Sequence, residues 1–140
     1  MIAVKGSEGR ALQGARLLLA DDDADFIDYL RGLFVSSRVG AIVSALNGTE
    51  ALEALVERGP FDLVVTDHRM PGPTGAQLVA MVRYAGYSGP ILIVTAFPGD
   101  DVEAVVERHE GVVLLPKTTP PHQILDAAHR LIVATGDPGR

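Results

Sequence analysis

The stretch FDLVVTDHRMPG, residues 61–72, decides the fold of this chain. Its first part, Asp62–Thr66, is almost continuously apolar, which predicts a strand covered on both faces because a half-exposed strand alternates in polarity. Asp67 follows directly, and the prolines and glycines after it predict a non-helical loop. The stretch therefore predicts a carboxylate at the carboxyl end of a buried strand.

Four more apolar runs have the same character, and a segment with helical spacing follows each of the five. The predicted strands are Arg16–Ala20, Ala41–Leu46, Asp62–Thr66, Ile91–Thr95 and Val112–Leu115. Strands that alternate with helices predict an α/β fold of the (βα)5 type, in which a doubly wound parallel five-stranded sheet carries helices on both faces. Ligands bind such sheets beyond the carboxyl ends of the strands, so the chemistry is expected there.

Capping residues predict several helix starts. Asp23 fits the N-cap of the first helix, and Asn47, with Glu50 three residues later, predicts a capping box at the second. Thr119 followed by Pro120 predicts the start of the fifth helix, since proline is favoured at the first helical position.

Composition excludes several classes of protein. The formal net charge is −6, and the ten arginines and two lysines are scattered singly, which disfavours direct binding of nucleic acid or an anionic membrane. No cysteine is present, so disulfides and thiolate metal sites are excluded. No apolar run approaches the ~20 residues of a membrane span. We expect a soluble, cytoplasmic protein with a flexible leader (1–14), one domain (15–135) and a short tail (136–140).

Acidic residues follow the first predicted strand. Asp21, Asp22 and Asp67 are expected at one edge of the sheet, where ionised carboxylates repel each other unless a cation joins them. An all-oxygen ligand set points to a hard divalent ion, and a shallow site that keeps several waters suits Mg²⁺ better than Ca²⁺. The alternative is that the acidic triplet only caps the first helix and complements its dipole.

Asp67 has a second possible role, and two further strand-end residues complete the candidate site. Asp67 can act as a nucleophile towards phosphorus, or can simply end a strand and open a turn. Lys117, the one lysine outside the predicted leader, can bridge to Asp67 or to a phosphoryl oxygen, and the Thr95 hydroxyl can donate to the same oxygen. Taken singly, Thr95 and Lys117 are ordinary strand-end residues, and only their combination with the acids indicates function.

Four motifs together resemble the receiver domain of two-component response regulators, over about residues 15–134. The motifs are LLLADDD (17–23), FDLVVTDHRMPG (61–72), ILIVTA (91–96) and LPK (115–117). The resemblance implies a flavodoxin-like sheet with the strand order 2-1-3-4-5 and a phosphoryl group accepted on Asp67 with Mg²⁺ or Mn²⁺.

The resemblance also implies a role for each site residue. Asp22 binds the metal directly, and Asp21 binds it directly or through water. The backbone carbonyl of Arg69 is a further metal ligand. Thr95 and the backbone of Ala96 hold one phosphoryl oxygen, and Lys117 pairs with another.

The sequence departs from the family pattern around Lys117. Thr118 follows the lysine where proline, with a cis bond, is usual, so a cis peptide there is in doubt. Leu114 replaces the usual aromatic residue, which predicts activation through movement of the segment Thr95–Asp101 instead of an aromatic rotamer. Arg69 and Phe97 lie where hydrolysis is modulated in the family, or are merely exposed.

The four histidines do not have metal-ligand spacing. His68, His109, His122 and His129 are expected to face solvent.

Three functions are compatible with this fold. The first is a competent receiver served by a histidine kinase or histidine phosphotransfer protein. The second is a pseudo-receiver that signals without phosphorylation. The third, a metal-dependent phosphohydrolase, is disfavoured because Arg69 stands where a second acid is needed. The output surface is expected on the fourth helix, fifth strand and fifth helix (Val102–His109 and Ile124–Ile132), for a downstream protein or a second copy of the chain.

Overall fold

The computed structural model describes residues 11–135 and confirms the predicted α/β fold. The elements are β1 (Arg16–Ala20), α1 (Ala24–Ser36), β2 (Ala41–Ala45), α2 (Gly48–Arg58), β3 (Leu63–Thr66), α3 (Gly75–Tyr84), β4 (Ile91–Thr95), α4 (Asp100–Arg108), β5 (Val112–Pro116) and α5 (Pro121–Thr135). Three strand bounds differ by one residue from the prediction. Asp62, for example, precedes β3 and accepts the Arg16 backbone N–H at 2.8 Å through its side chain.

The five strands form one parallel sheet in the order β2-β1-β3-β4-β5, as expected. Every residue of β3 and β4 is buried, whereas the edge strands β2 and β5 are partly exposed. This burial explains the continuous apolar runs, because helices cover both faces of the central strands.

Alternate strand residues divide the core into two layers. One layer joins Leu18, Val64 and Ile93 to the apolar residues of α2, α3 and α4. The other joins Leu19 and Val65 to α1 and α5. The helices therefore cover the sheet as three on one face and two on the other.

The register of the strands brings their carboxyl ends together. Ala20 of β1 is paired with Thr66 of β3, so the residues that follow them, Asp21 and Asp67, leave the sheet at the same level. The Asp67 N–H donates to the Ala20 carbonyl at 2.8 Å, which fixes this alignment. Strand order reverses around β1 and β3, and ligand sites of doubly wound sheets lie at such a reversal.

The segment before β1 is more ordered than predicted. Residues 11–14 were assigned to a flexible leader, but Leu12 is buried in the same core layer as α1 and α5, and the Gly14 N–H donates to the Arg38 carbonyl at 3.0 Å. Gln13 and Gly14 separate Leu12 from the apolar run of β1, so the sequence pattern did not predict this contact. Residues 1–10 and the tail 136–140 lie outside the described residues.

Both predicted N-caps, Asp23 and Asn47, are confirmed, but the capping-box contact of Glu50 differs from the prediction. The Asp23 carboxylate accepts from two backbone N–H groups of α1, and the Asn47 side chain accepts from the Glu50 N–H at 2.8 Å. The Glu50 side chain, however, accepts from the Leu46 N–H at 2.9 Å instead of that of Asn47. The contact still fixes the entry of the chain into α2.

The predicted start of the fifth helix is wrong by one residue. The helix begins at Pro121, and the Pro120 carbonyl accepts the first helical hydrogen bonds, from Gln123 and Ile124. Thr119 instead donates its hydroxyl to the Pro116 carbonyl at 2.7 Å and closes the turn after β5. Proline suits the first helical position at Pro121 for the reason given for Pro120.

The histidine prediction is wrong for two of the four residues. His129 is buried on α5, between the apolar positions that face the sheet, and His68 is buried beside Asp67. Across residues 11–135 no helix has the length and apolar character that a membrane crossing requires.

We expect Leu12→Ala to lower the free energy of unfolding by about 2–3 kcal/mol, because it leaves a cavity in a closed core layer. Gln13→Ala is the matched control, since that exposed neighbour should change stability by less than about 0.5 kcal/mol. Urea unfolding of both variants measures the difference. Equal effects would show that residues 11–14 do not belong to the folded domain.

Candidate functional site

Three carboxylates meet at the carboxyl ends of β1 and β3. Asp21, Asp22 and Asp67 each place a ligand oxygen within 4.8 Å of the others. Asp21 and Asp67 are 1% and 7% exposed, whereas Asp22 faces solvent. Buried carboxylates at this separation repel each other, so the cluster requires a compensating positive charge.

Asp21 is the most deeply held of the three. Its Oδ1 accepts the Asp23 N–H at 2.9 Å, and its Oδ2 lies 2.8 Å from the Lys117 ammonium. Burial raises the pKa of Asp21, and the repulsion from Asp67 adds to this effect. The contacts with Lys117 and Asp23 oppose the rise without cancelling it.

Lys117 provides a positive charge for the cluster. Its Nζ lies 2.8 Å from Asp21 and 3.2 Å from Asp67 Oδ2, and the same group stands 4.5 Å from the centre of the Phe26 ring. Burial acts to lower the pKa of Lys117, but the attraction of the two carboxylates is greater and raises it. The backbone holds the lysine in place, since the Lys117 N–H donates to the Thr95 carbonyl at 3.0 Å.

The peptide after Lys117 is trans. Within residues 11–135 the cis peptide bond is Gly59–Pro60, so the family's cis bond after the lysine is not kept here. The Thr119–Pro116 hydrogen bonds close the turn instead, with N···O and O···O distances of 3.0 and 2.7 Å.

The acceptor loop fits closely around Asp67. The His68 N–H donates to Asp67 Oδ1 at 2.6 Å, and the Gly75 N–H donates to the His68 carbonyl at 2.7 Å. A Cβ atom on Gly75 would lie 2.5 Å from the Asp67 carbonyl oxygen, so glycine permits α3 to begin against the acceptor backbone. This close approach explains why residue 75 is glycine.

Thr95 is buried at the end of β4, and its Oγ1 accepts the Phe97 N–H at 3.2 Å. This contact uses an acceptor site of the hydroxyl and leaves its proton to be donated. Ala96, next in the chain, is exposed. The structure gives no direct contact between the predicted Arg69 carbonyl ligand and the acids.

Arg69 and Phe97 are exposed but not independent. The Arg69 guanidinium lies 5.0 Å above the centre of the Phe97 ring, a cation–π distance. The pair connects the loop after β3 to the loop after β4. Leu114, on β5, is half-buried and packs against the core layer that includes α3 and α4.

Sequence reasoning missed two residues of the site. The sequence places Phe26 among the apolar residues of α1, and the structure shows that its ring also contacts the lysine. His68 was expected in solvent, yet its Nε2 lies 3.0 Å from Asp101 Oδ2 and its Nδ1 accepts the Ala76 N–H at 3.2 Å. The only sequence signal for either residue is its position, because Phe26 lies close to Asp21–Asp23 and His68 directly follows Asp67.

Asp101 is affected by this histidine. Desolvation acts to raise the pKa of Asp101, but the contacts with His68 and with the Val102 N–H lower it. The carboxylate is therefore ionised at neutral pH and is an acceptor for the histidine.

The acidic cluster fits a hard divalent cation. All three side chains offer oxygen, and Asp22 opens the cluster to water, as Mg²⁺ and Mn²⁺ require because they retain part of their water shell. Asp21 Oδ2 is buried and has no hydrogen bond apart from its ion pair with Lys117, so it can still accept a cation.

Comparison with known proteins identifies the family of this chain. Residues 17–129 match the response regulator receiver domain. A response regulator receiver protein of Anaeromyxobacter sp. (strain Fw109-5) is 35% identical over 113 residues, covering 79% of this chain and 46% of its own length. The transcriptional regulatory protein GlrR of Escherichia coli (strain K12) is 38% identical over 98 residues, covering 70% of this chain and 21% of its own.

A solved structure agrees over almost its full length. The signal receiver domain of the putative response regulator NarL from Mycobacterium tuberculosis has a TM-score of 0.75 and 27% identity, covering 86% of this chain and 98% of that one. This chain spans less than half the length of the two curated relatives above. The chain belongs to the family of response regulator receiver domains.

Proposed function

We propose that this receiver domain accepts a phosphoryl group on Asp67 from a histidine kinase or histidine phosphotransfer protein, and signals by protein–protein contact. The carrying observation is the Lys117 ammonium, 3.2 Å from the buried Asp67 carboxylate and beside two further acids that suit Mg²⁺ or Mn²⁺. Such a site binds and neutralises an incoming phosphoryl group.

The chemistry is an in-line displacement at phosphorus. An Asp67 oxygen attacks, the bond from phosphorus to the donor's imidazole nitrogen breaks, and that nitrogen keeps the electron pair. Lys117 neutralises one equatorial oxygen, while the Thr95 hydroxyl and the Ala96 N–H donate to another. Asp21, Asp22, Asp67 and the Arg69 carbonyl would hold Mg²⁺, which would supply charge neutralisation.

The same site resets the switch, because water can attack the acyl phosphate. Arg69 and Phe97 are exposed and stacked, so they are placed to limit access of water to the acceptor. We therefore assign to this pair an influence on the lifetime of the phosphorylated state, without a role in binding the phosphoryl group.

The output surface is proposed on α4, β5 and α5. A groove of about 650 Å³ lies between β5 and α5, with an apolar floor that includes Val113, Leu115, Ala127, Leu131 and Ala134. A downstream protein, or a second copy of this chain, would bury these side chains. We place this signalling in the cytoplasm, where histidine kinases draw on ATP.

With Mg²⁺ and acetyl phosphate, the wild-type chain should gain the mass of one phosphoryl group and Asp67→Asn should gain none. Asp28→Asn, an exposed acid on α1, is the matched control and should be modified like wild type. Intact-protein mass spectrometry reads the result. An unmodified wild-type chain would favour the pseudo-receiver instead.

Lys117→Met should separate metal binding from phosphoryl transfer. Removing a cation 2.8 Å from Asp21 should strengthen Mg²⁺ binding about tenfold, since like charges no longer repel across the site. Phosphorylation should slow by about 100-fold, because the charge that stabilises the transition state is lost. Calorimetric titration and the rate with acetyl phosphate measure the two effects.

Asp22→Asn is the control for this pair of measurements, and it should weaken Mg²⁺ binding while leaving the Lys117 ion pairs intact. Weaker Mg²⁺ binding by Lys117→Met would mean that the lysine supports the metal site instead of competing with it.

Asp21→Asn should stabilise the fold when no divalent cation is added. Burial raises the pKa of Asp21, so the folded state holds that proton more tightly than the unfolded chain, and ionisation costs stability above this pKa. We expect about 1 kcal/mol more unfolding free energy at neutral pH. The advantage over wild type should shrink as the pH falls through the raised pKa.

Urea unfolding at several pH values measures this difference, with Asp28→Asn as an exposed control. If Asp21→Asn were less stable than wild type at neutral pH, the ion pair with Lys117 would outweigh the cost of burial.

A further inference from the structure

His68 makes three hydrogen-bonding contacts, one through its backbone and two through its ring. Its backbone N–H donates to Asp67 Oδ1 at 2.6 Å, its ring Nδ1 accepts the Ala76 N–H at 3.2 Å, and its ring Nε2 lies 3.0 Å from Asp101 Oδ2. The His68 side chain is 5% exposed and the Asp101 side chain 69%, so the ring reaches from the buried site to a carboxylate that faces solvent. The acceptor, the start of α3 and the start of α4 therefore meet at this residue.

The contacts of the ring define its hydrogen-bonding state. Because Nδ1 accepts a backbone N–H, its lone pair faces Ala76, and the ring proton is on Nε2. The Nε2–H then donates to the Asp101 carboxylate, which forms a charge-assisted hydrogen bond. The ring cannot rotate without losing both bonds.

Buried Val102 packs the first turn of α4 against the core, but few side-chain hydrogen bonds hold this turn. Its N-cap residue, Gly99, provides no side-chain hydrogen bond to the first turn. Asp100, Asp101 and Glu103 all complement the helix dipole, so charge alone does not single out Asp101. Only Asp101 of the three contacts His68 within the described residues, and this contact crosses from one loop of the site to the next.

We propose that His68 is a positioning residue that couples the orientation of the Asp67 carboxylate to the first turn of α4. The coupling rests on the proposed phosphorylation of Asp67 for its use in signalling. An oxygen of an acyl phosphate is a weaker acceptor than one of a carboxylate, so modification loosens the bond to the His68 N–H. The released bond belongs to the His68 backbone, so the backbone shifts, the ring carries this shift to Asp101, and the start of α4 moves with it.

Single substitutions can remove one of the ring's two contacts and keep the other. His68→Gln places an amide donor near the position of Nε2 and keeps the bond to Asp101. His68→Asn places an acceptor near the position of Nδ1 and keeps the bond from Ala76 only. Asp101→Ala removes the acceptor on α4, and Asp100→Ala removes a neighbouring charge of the same turn without touching His68, which makes it the matched control.

The first measurement is amide hydrogen exchange in the unphosphorylated protein, read over residues 103–105, because Asp101→Ala also removes the acceptor of the Val102 N–H. Asp101→Ala and His68→Asn should each speed this exchange about tenfold, the effect of losing one charge-assisted hydrogen bond. His68→Gln and Asp100→Ala should remain within about threefold of wild type. Equal exchange in Asp101→Ala and Asp100→Ala would overturn the proposal.

The second measurement repeats the exchange after treatment with Mg²⁺ and acetyl phosphate. Wild type and Asp100→Ala should change their α4 exchange on phosphorylation. Asp101→Ala should be phosphorylated at a rate within about threefold of wild type, because it does not touch the reacting atoms, yet show no change in α4. An α4 response in Asp101→Ala equal to that of wild type would also overturn the proposal.

Failure of the phosphorylation itself is read separately. A wild-type chain that gains no mass contradicts the proposed function, while the exchange measured before treatment still decides whether His68 holds α4.

Discussion

The ion pairs of Lys117 with Asp21 and Asp67 are the interactions on which the site depends. The two carboxylates are buried in a cluster that is unfavourable without a nearby cation, and the ammonium lies 2.8 and 3.2 Å from them. Three different strands supply these residues, so the sheet register has to be correct before the charges can meet. Formation of the site therefore depends on correct pairing of the strands.

The two core layers offset the cost of this cluster. The central strands are buried on both faces, and the apolar area they remove from water supplies the main stabilising free energy. The charged residues of this cluster lie at the carboxyl ends of the strands, where Asp22 and the neighbouring loops reach solvent. Local destabilisation is thus restricted to the place where a cation and a phosphoryl group would remove it.

Sequence predicted the parts of the structure that follow from polarity. Asp21, Asp67, Thr95 and Lys117 each end a continuous apolar run, and parallel strands bring such ends together. The burial of Leu12 was not predicted because Gln13 and Gly14 separate it from the apolar run of β1, so it belongs to no periodic pattern. His68 escaped because its burial depends on two contacts outside its own segment, from Ala76 and Asp101, which no local pattern encodes.

The site residues differ in burial, and buried and exposed residues are suited to different roles. The groups that face the reacting atoms are mostly buried and held by backbone hydrogen bonds, so their geometry changes little without changing the sheet. The exposed stack of Arg69 on Phe97 can vary without cost to the core, which suits it to setting a lifetime. Leu114 offers neither a donor nor an acceptor on its side chain, so a polar link from the acceptor to α4 has to run elsewhere. His68 and Asp101 supply such a link, between a buried acceptor loop and an exposed helix.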